Sequence, residues 1–365
     1  ALRVVTSAGA ADSLPGLVNY EGTAALVGRD AAARTRVAPL WTSSRHLEEL
    51  STDPLPRARP FARSHADLAY AQLLALVATH DLGAGRVVVA ASSAWSVDQL
   101  RLFLGIAAAA KVDVAGVVDA AVAAAADRPS TPRAFHLDVE LHRAVLTELV
   151  RTDEVRRGRV DVARSTGLRA YDDAYAQLLA RLFVRATRFD PLHQAVTEQA
   201  LYDRLPEWVD VASLGEAQVV LEHGRLRHET TLTTAQLVAA AAPLNVELVR
   251  LVHSARRAGE AATLYVTDRV AGLPGIAGEF AKLRDCEIVT LPPGAAGAGA
   301  LAHADEVETA AGELALVNRL RGAPAVLPAR AAAAEMRAPG ALPTHLVYQG
   351  RAYALAGDPL VIGRD

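Results

Sequence analysis

His136, Asp138, Glu140 and His142 are groups that can bind metal or move protons, and they stand at alternate positions of one stretch. On an extended strand they share a face, with Phe135, Leu137, Val139 and Leu141 on the other. Two imidazoles and two carboxylates are ligand types for a divalent cation. The outer pair, six residues apart, would be ~20 Å apart along a strand, too far for one ion unless a hairpin folds the strand between them. The stretch therefore reads as a polar edge, facing a cleft or solvent, over an apolar core. No metal is expected.

Other constellations yield to similar arguments. Gly294-Ala-Ala-Gly-Ala-Gly299 is rich in glycine, like a phosphate loop. It lacks the Gly-Lys-Ser/Thr ending and the later acid of a dinucleotide fingerprint, so small residues for close helix packing are expected. Cys286 has no base or helix start signalled beside it and reads as buried or strand-edge. Arg156-Arg157-Gly158-Arg159 reads as a solvated hairpin turn without the interleaved aromatics of a nucleic-acid surface. Trp41, Trp95 and Trp208 are spread along the chain as packing anchors.

The 365 residues are 51% hydrophobic and 22% charged, with a formal net charge of -3. That length allows two domains or lobes, and that charge argues against a broadly basic surface, so no nucleic-acid partner is expected. A single cysteine excludes an internal disulfide framework. Only Lys111 and Lys282 are lysines, which removes most candidates for lysine-based phosphate chemistry. Charges such as Lys111, Asp113 and Asp119 break the apolar runs, and neither a signal peptide nor a membrane span is expected. A cytoplasmic protein of a reducing compartment is the expectation. High alanine and arginine with little lysine fits a GC-rich, bacterial-type genome.

These residues need elements to position them. Strands are expected at 2–5 and 17–20 about a turn at 12–16, helical spacing at 40–50, and a loop at 51–63, which carries Pro54, Pro56 and Pro60. A helix follows over 65–79. A β-branched strand at 86–91 leads to Ser96 and Gln99, a capping box opening a helix to 110. A strand at 112–118 and an alanine-rich helix at 119–126 end the first half, with Pro129 and Pro132 in the linker. Beyond it an alternating strand starts at 134 and continues towards 149. Further elements are a strand at 159–165, helices at 171–187 and 194–205, strands at 217–221 and 226–231, and a helical stretch at 234–257 interrupted at Pro243. A strand at 263–266, a helix at 276–283 and a strand at 287–291 complete the alternation, an α/β pattern with ligands expected beyond strand ends or between lobes.

In this order the pieces resemble the actin-like ATPase superfamily, nearest to the nucleotide-binding domain of the seventy-kilodalton heat-shock chaperones. Ser13-Leu-Pro-Gly-Leu-Val-Asn-Tyr-Glu-Gly22 and Leu26-Val-Gly-Arg-Asp-Ala-Ala32 resemble its early strand and turn. Residues 87–126 resemble its strand, helix, strand and connecting helix. Thr166-Gly-Leu-Arg-Ala-Tyr-Asp-Asp173 resembles the loop before its next helix. Leu264-Tyr-Val-Thr267 with Gly272-Leu-Pro-Gly-Ile276 resembles its adenosine loop. The resemblance spans roughly residues 2–310. It implies an α/β, two-lobed actin-like fold, each lobe a mixed sheet with flanking helices, around a deep cleft.

The departures fall on the chemistry. The family's first phosphate hairpin would precede Leu2. The second should follow Asp138 as a run of glycines ending in threonine; here Glu140, Leu141 and His142 replace the glycines, and Arg143 sits near the threonine position. Backbone amides reach phosphate oxygens only where no Cβ intervenes. The adenosine loop's paired glycines correspond to Asp268 and Arg269. The helix that supplies a glutamate and a lysine to the ribose reads Glu198 to Glu207 and has no lysine. Arg45 is nearest to the catalytic lysine of the first lobe, with altered geometry and proton chemistry.

The expectation is a catalytically degenerate, pseudo-ATPase member acting as a scaffold or adaptor through protein–protein interaction, with other protein subunits or itself as partner and no cofactor. The alternative is a nucleotide-binding ATPase or chaperone-like enzyme, using ATP and Mg²⁺ at Asp138, Arg143, Thr267, Asp268, Arg269 and Gly272. Residues 1–130 are read as the first lobe, 131–321 as the second and 322–343 as a Pro/Ala-rich linker. Residues 344–365 are read as a C-terminal β-hairpin or the start of a forkhead-associated-like domain. Arg269 beside Asp268 and Arg143 beside Glu140 offer an ion-pair lock across the cleft. Leu346, Tyr348, Tyr353, Leu360 and Ile362 are the expected interaction residues.

Overall fold

A computed structural model describes the chain except residues 1, 7–8, 81, 83–84, 258, 309–314, 324, 326–344, 349–350 and 355–365, and except the side chains of 10–12, 345–348 and 351–354. The first strands are β1 (Leu2–Thr6) and β2 (Gly9–Leu14), an antiparallel pair that places residues 12–14 in a strand rather than the expected turn. β3 (Val18–Asn19) lies between β4 (Leu26–Val27) and β5 (Thr42–Ser43), with α1 (Gly28–Ala32) following β4. Pairing of β5 with β3 takes backbone groups that the expected 40–50 helix would need, and only a short 3₁₀ turn, Pro39–Trp41, forms there. The proline-rich stretch is also not a loop. β6 (Pro54–Arg59) pairs with β7 (Ala62–Ser64) in a two-stranded ribbon. Pro54 and Pro56 are exposed while Leu55 between them is buried, and a ribbon tolerates a residue without an N–H on its open side.

α2 (His65–His80) leads to β8 (Arg86–Ala91), α3 (Val97–Ala109), β9 (Asp113–Asp119) and α4 (Ala120–Ala125). β8 and β9 are parallel, with α3 as the crossover. The capping box at α3 forms as expected: the Ser96 side chain accepts from the Gln99 amide and the Gln99 side chain accepts from the Ser96 amide.

The 134–149 stretch folds back on itself. β10 (Arg133–Val139), β11 (Ala144–Arg151) and β12 (Glu154–Ala163) form an antiparallel meander. Arg156 to Arg159 therefore lie within β12, not in a turn. Then come α5 (Leu168–Thr187), α6 (Ala195–Ser213), the hairpin β13 (Glu216–His223) and β14 (Leu226–Thr233), and α7 (Thr234–Ala255). α7 runs through Pro243 without interruption. Proline costs a helix interior about 3 kcal/mol; burial of Leu237, Ala241, Leu248 and Val252 in the core offsets it. β15 (Ala262–Val266), α8 (Asp268–Ala271), α9 (Ile276–Phe280), β16 (Cys286–Thr290), α10 (Ala295–Ala302) and α11 (Ala304–Val307) follow. The last elements of this region are β17 (Leu316–Val317) and β18 (Arg319–Arg321).

The fold is mixed α/β, and its largest sheet has six strands in the order β16-β15-β10-β11-β12-β18. β10, β15 and β16 are parallel, while β10, β11 and β12 alternate in direction. One face of this sheet packs Phe135, Leu137 and Leu146 against Tyr171, Phe183, Trp208 and Leu248 of the helices. Each such fully buried side chain contributes about 1.5–3 kcal/mol. α7 is the one helix among the described residues that is long and apolar enough to cross a membrane, with mean hydropathy 1.4; its buried stripe belongs to this core.

A second sheet, β17-β9-β8, belongs to the same compact unit, Ala1–Val326. Residues 316–321 bridge the two sheets: Leu316 and Val317 pair with Val117 and Val118, and Leu320 pairs with Val155. Gly297 and Gly299 serve packing, while Gly294 takes a left-handed φ of +79° at the start of α10. A Cβ on Gly299 would lie 1.9 Å from the Ala123 carbonyl oxygen, so the residue lets α10 and α4 touch.

The second unit is Leu327–Asp365. Its described strands are β19 (His345–Tyr348) and β20 (Arg351–Ala354), an antiparallel hairpin pairing Leu346 with Tyr353 and Tyr348 with Arg351. Leu360 and Ile362 lie outside the described residues.

Candidate functional site

Asp138 stands near the end of β10, beside the residue that follows the parallel neighbour β15. There the Thr267 amide donates to the Leu137 carbonyl oxygen at 3.2 Å, which brings the start of α8 over the carboxylate. Thr267 Oγ1 donates to Asp138 Oδ1 at 2.9 Å, and an Arg269 guanidinium nitrogen donates to Oδ2 at 2.6 Å. Burial pushes the Asp138 carboxyl up, but Arg269, His136 and the Thr267 hydroxyl outweigh it and hold the group below its ordinary value. Asp138 in turn raises Arg269. His136 is not on the open polar edge that strand alternation suggests. It is buried, and burial lowers its pKa despite Asp138 and Asp119 nearby.

The turn after β10 closes on itself. The Glu140 amide donates to the Arg143 carbonyl oxygen at 2.8 Å, and Arg143 Nε donates to Glu140 Oε2 at 2.6 Å. Arg143 is 5% exposed, and its Nη2 has no hydrogen-bond partner. The turn's own carbonyls cover the start of α5: the Leu168 and Arg169 amides donate to the Glu140 and Leu141 carbonyl oxygens, each at 2.9 Å. Helix-start amides of this kind are the groups a phosphate would seek. Gly167 permits the approach, because a Cβ there would lie 2.3 Å from the His142 carbonyl carbon. This is the one glycine of the 166–173 loop, and it brings two stretches of backbone together.

Residues from the first 130 positions reach this turn. Ser92 Oγ donates to Glu140 Oε1, and His142 Nε2 is 2.9 Å from Ser44 Oγ. Burial, with Arg45 and Arg169 adding, lowers the His142 pKa to about 4, so the ring is neutral at pH 7. Arg45 itself lies 3.6 and 3.7 Å from Glu48 and Glu49. Arg3 reaches Asp268 at 3.4 Å. The expected lock thus takes a different form. Arg269 pairs with Asp138 and Arg143 with Glu140, all within residues 131–321, while Arg3 and Ser92 supply the partners from the other half.

The helix compared with the ribose-binding segment is occupied as well. Arg36 lies 2.9 Å from Asp173 and 3.2 Å from Glu198, with its guanidinium 3.6 Å above the Tyr202 ring. Gln199 receives the Arg36 amide at 2.7 Å and donates to the Ala32 carbonyl oxygen at 2.9 Å. Gly272 ends α8 at φ -76°, and the nearest atom to an added Cβ is 3.4 Å away. It is not a position that demands glycine. Gly275, at φ +80° and with Val238 2.8 Å from an added Cβ, is.

Of the six residues expected at a nucleotide site, the structure brings Asp138, Thr267 and Arg269 into direct contact. Asp268 turns to Arg3, Arg143 to Glu140, and Gly272 only ends its helix. Arg3, Arg36, Ser44 and Ser92 are the partners that sequence reasoning missed. Nothing in local spacing signals them, since Arg3 and Asp268 stand 265 positions apart. Both Asp138 oxygens are paired, and the first amides of α5 are bonded to the Glu140 and Leu141 carbonyl oxygens. Among the described residues there is no group of three or more histidine, cysteine or acidic side chains able to hold a metal ion. No protein-family model matches the chain, and no curated protein matches it either.

Proposed function

We propose that this chain is a catalytically degenerate actin-like, heat-shock-chaperone-like protein. It serves as a cytoplasmic scaffold or adaptor for other protein subunits, or for further copies of itself, in a bacterial assembly. The observation that carries this is the state of Asp138: both carboxylate oxygens are taken, one by Thr267 and one by Arg269. In a phosphoryl-transfer site a carboxylate there would have to face Mg²⁺ or its waters. Further support comes from the mixed six-stranded sheet with flanking helices, the kind of lobe the family resemblance implies. The contacts of Arg3, Arg36, Ser44 and Ser92 across the two halves supply by packing and pairing the closure that a nucleotide would otherwise provide.

Titration calorimetry with Mg²⁺-ATP tests the proposal. Binding no tighter than about millimolar, ~4 kcal/mol, is expected. Micromolar, Mg²⁺-dependent heat would overturn the pseudo-ATPase assignment in favour of an enzyme with an atypical phosphate site.

A further inference from the structure

We infer that the β6–β7 ribbon is a docking surface for an acidic peptide segment of a partner protein. The ribbon spans residues 54–64, Pro-Leu-Pro-Arg-Ala-Arg-Pro-Phe-Ala-Arg-Ser, with three arginines and no acidic residue. Leu55 and Ala62 anchor it in a small core with Val18, Tyr20 and Leu68, against which Trp41 packs. Trp41 orders two of the arginines. Arg59 lies 4.0 Å from the indole centroid and donates to the Glu21 carbonyl oxygen at 2.9 Å. Arg57, two residues earlier, lies 5.7 Å from the same ring, is exposed, and has no carboxylate partner among the described residues. A guanidinium stacked on an aromatic ring has already lost part of its rotamer freedom, so ordering it on a ligand costs less.

Apolar side chains adjoin these charges in sequence. Leu40, next to Trp41, is 63% exposed, and Phe61, at the bend between β6 and β7, is 36% exposed. The nearby carboxylate of Asp67 is occupied by the Arg63 and Ser64 amides. The surface therefore offers unpaired positive charge with apolar contacts, which fits a segment that mixes acidic and apolar residues. Pro54, Pro56 and Pro60 deprive the ribbon of backbone donors, which disfavours strand addition and leaves recognition to side chains. A nucleic acid fits less well, because Arg59 stands over the ring of Trp41 and Tyr20 meets that ring at 81°, leaving the indole poorly placed to stack on a base.

This inference deepens the scaffold reading and rests on it, but its test reads peptide binding and is independent of the nucleotide calorimetry. A short fluorescein-labelled peptide alternating glutamate and leucine is titrated with the full chain and followed by anisotropy. Saturable binding is expected, weakening as salt rises. Arg57→Glu should weaken it about tenfold, Arg57→Lys should retain most of it, and Arg101→Glu on the exposed side of α3 should leave it unchanged. Arg57 is exposed, so its replacement leaves the fold intact, and matched circular dichroism checks this. Absence of binding by the unaltered chain, or equal binding by the Arg57→Glu and Arg101→Glu variants, overturns the proposal. Displacement of the peptide by oligothymidylate at lower concentration than by unlabelled peptide would reassign the surface to nucleic acid.

Discussion

Arg157 of β12 donates to Asp119, the last residue of β9, at 3.1 Å, and so ties the six-stranded sheet to the three-stranded one. Asp119 is fully buried. Its other oxygen accepts from Ser93 Oγ at 2.9 Å and from the Ala121 and Val122 amides at 3.0 and 3.2 Å, capping α4. One carboxylate thus ends a strand, starts a helix and joins two sheets. Residues 316–321 cross the same junction by backbone pairing.

Replacing Asp119 by alanine removes the cap and strands Arg157 beside a buried cavity. A loss of about 3–5 kcal/mol is expected, as for breaking a buried pair from one side. Asp119→Asn keeps the capping oxygen and should lose less. Urea unfolding of the two variants checks the order.

Arg269 and Asp138 provide a test by pH. The folded Asp138 carboxyl lies below its ordinary value, so its contribution is present above the unfolded pKa of ~4 and is lost as pH falls through the lower folded value. Arg269→Met should destabilise the protein by about 1.5–3 kcal/mol at pH 7, since it removes the charged donor to Asp138 Oδ2 while Thr267 still serves Oδ1. Near pH 3 the gap between variant and wild type should shrink. A gap of constant size across that range would assign the effect to packing instead.

Gly167 and Gly272 should respond very differently to alanine. At Gly167 the new Cβ would meet the His142 backbone at 2.3 Å, and the β10–β11 turn would have to lift from α5. About 1–3 kcal/mol of destabilisation is expected. At Gly272 the closest atom is 3.4 Å away and φ is negative, so Gly272→Ala should stay within about 0.5 kcal/mol. Thermal melts distinguish the two.

Removing residues 340–365 tests the C-terminal hairpin as a connector. Among the described residues, the first unit has its own hydrophobic cores. Its far-ultraviolet circular dichroism and melting temperature should persist in the truncated chain. Self-association or partner capture should weaken, by light scattering and pull-down. Unchanged assembly would move the connecting role away from Leu346, Tyr348 and Tyr353.

Much of the fold was legible in local pattern. The Ser96–Gln99 capping box, the β-branched strand at 86–91 and the amphipathic α5 follow from short-range chemistry that neighbours in sequence carry with them. The errors have particular causes. Pro54 and Pro56 argue for a loop until a ribbon with an open side is available. Pro243 argues for a break until the buried stripe of α7 outweighs one lost hydrogen bond. Strand alternation placed His136 on a polar edge facing a cleft or solvent, but in the sheet between β11 and β15 the side chain is buried.

The site divides the same way. That bulky or charged side chains stand at Glu140, Leu141, His142, Asp268 and Arg269 is readable residue by residue, because each side chain is fixed by the sequence itself. Which charges satisfy one another was decided only by tertiary structure. Both Asp268 and Arg269 were expected to pair across the cleft, yet Arg269 turns to Asp138 while Asp268 turns to Arg3. Charge strength depends on distance and burial, and those are set when β10, β15 and the opening hairpin pack, not by the order of residues along the chain.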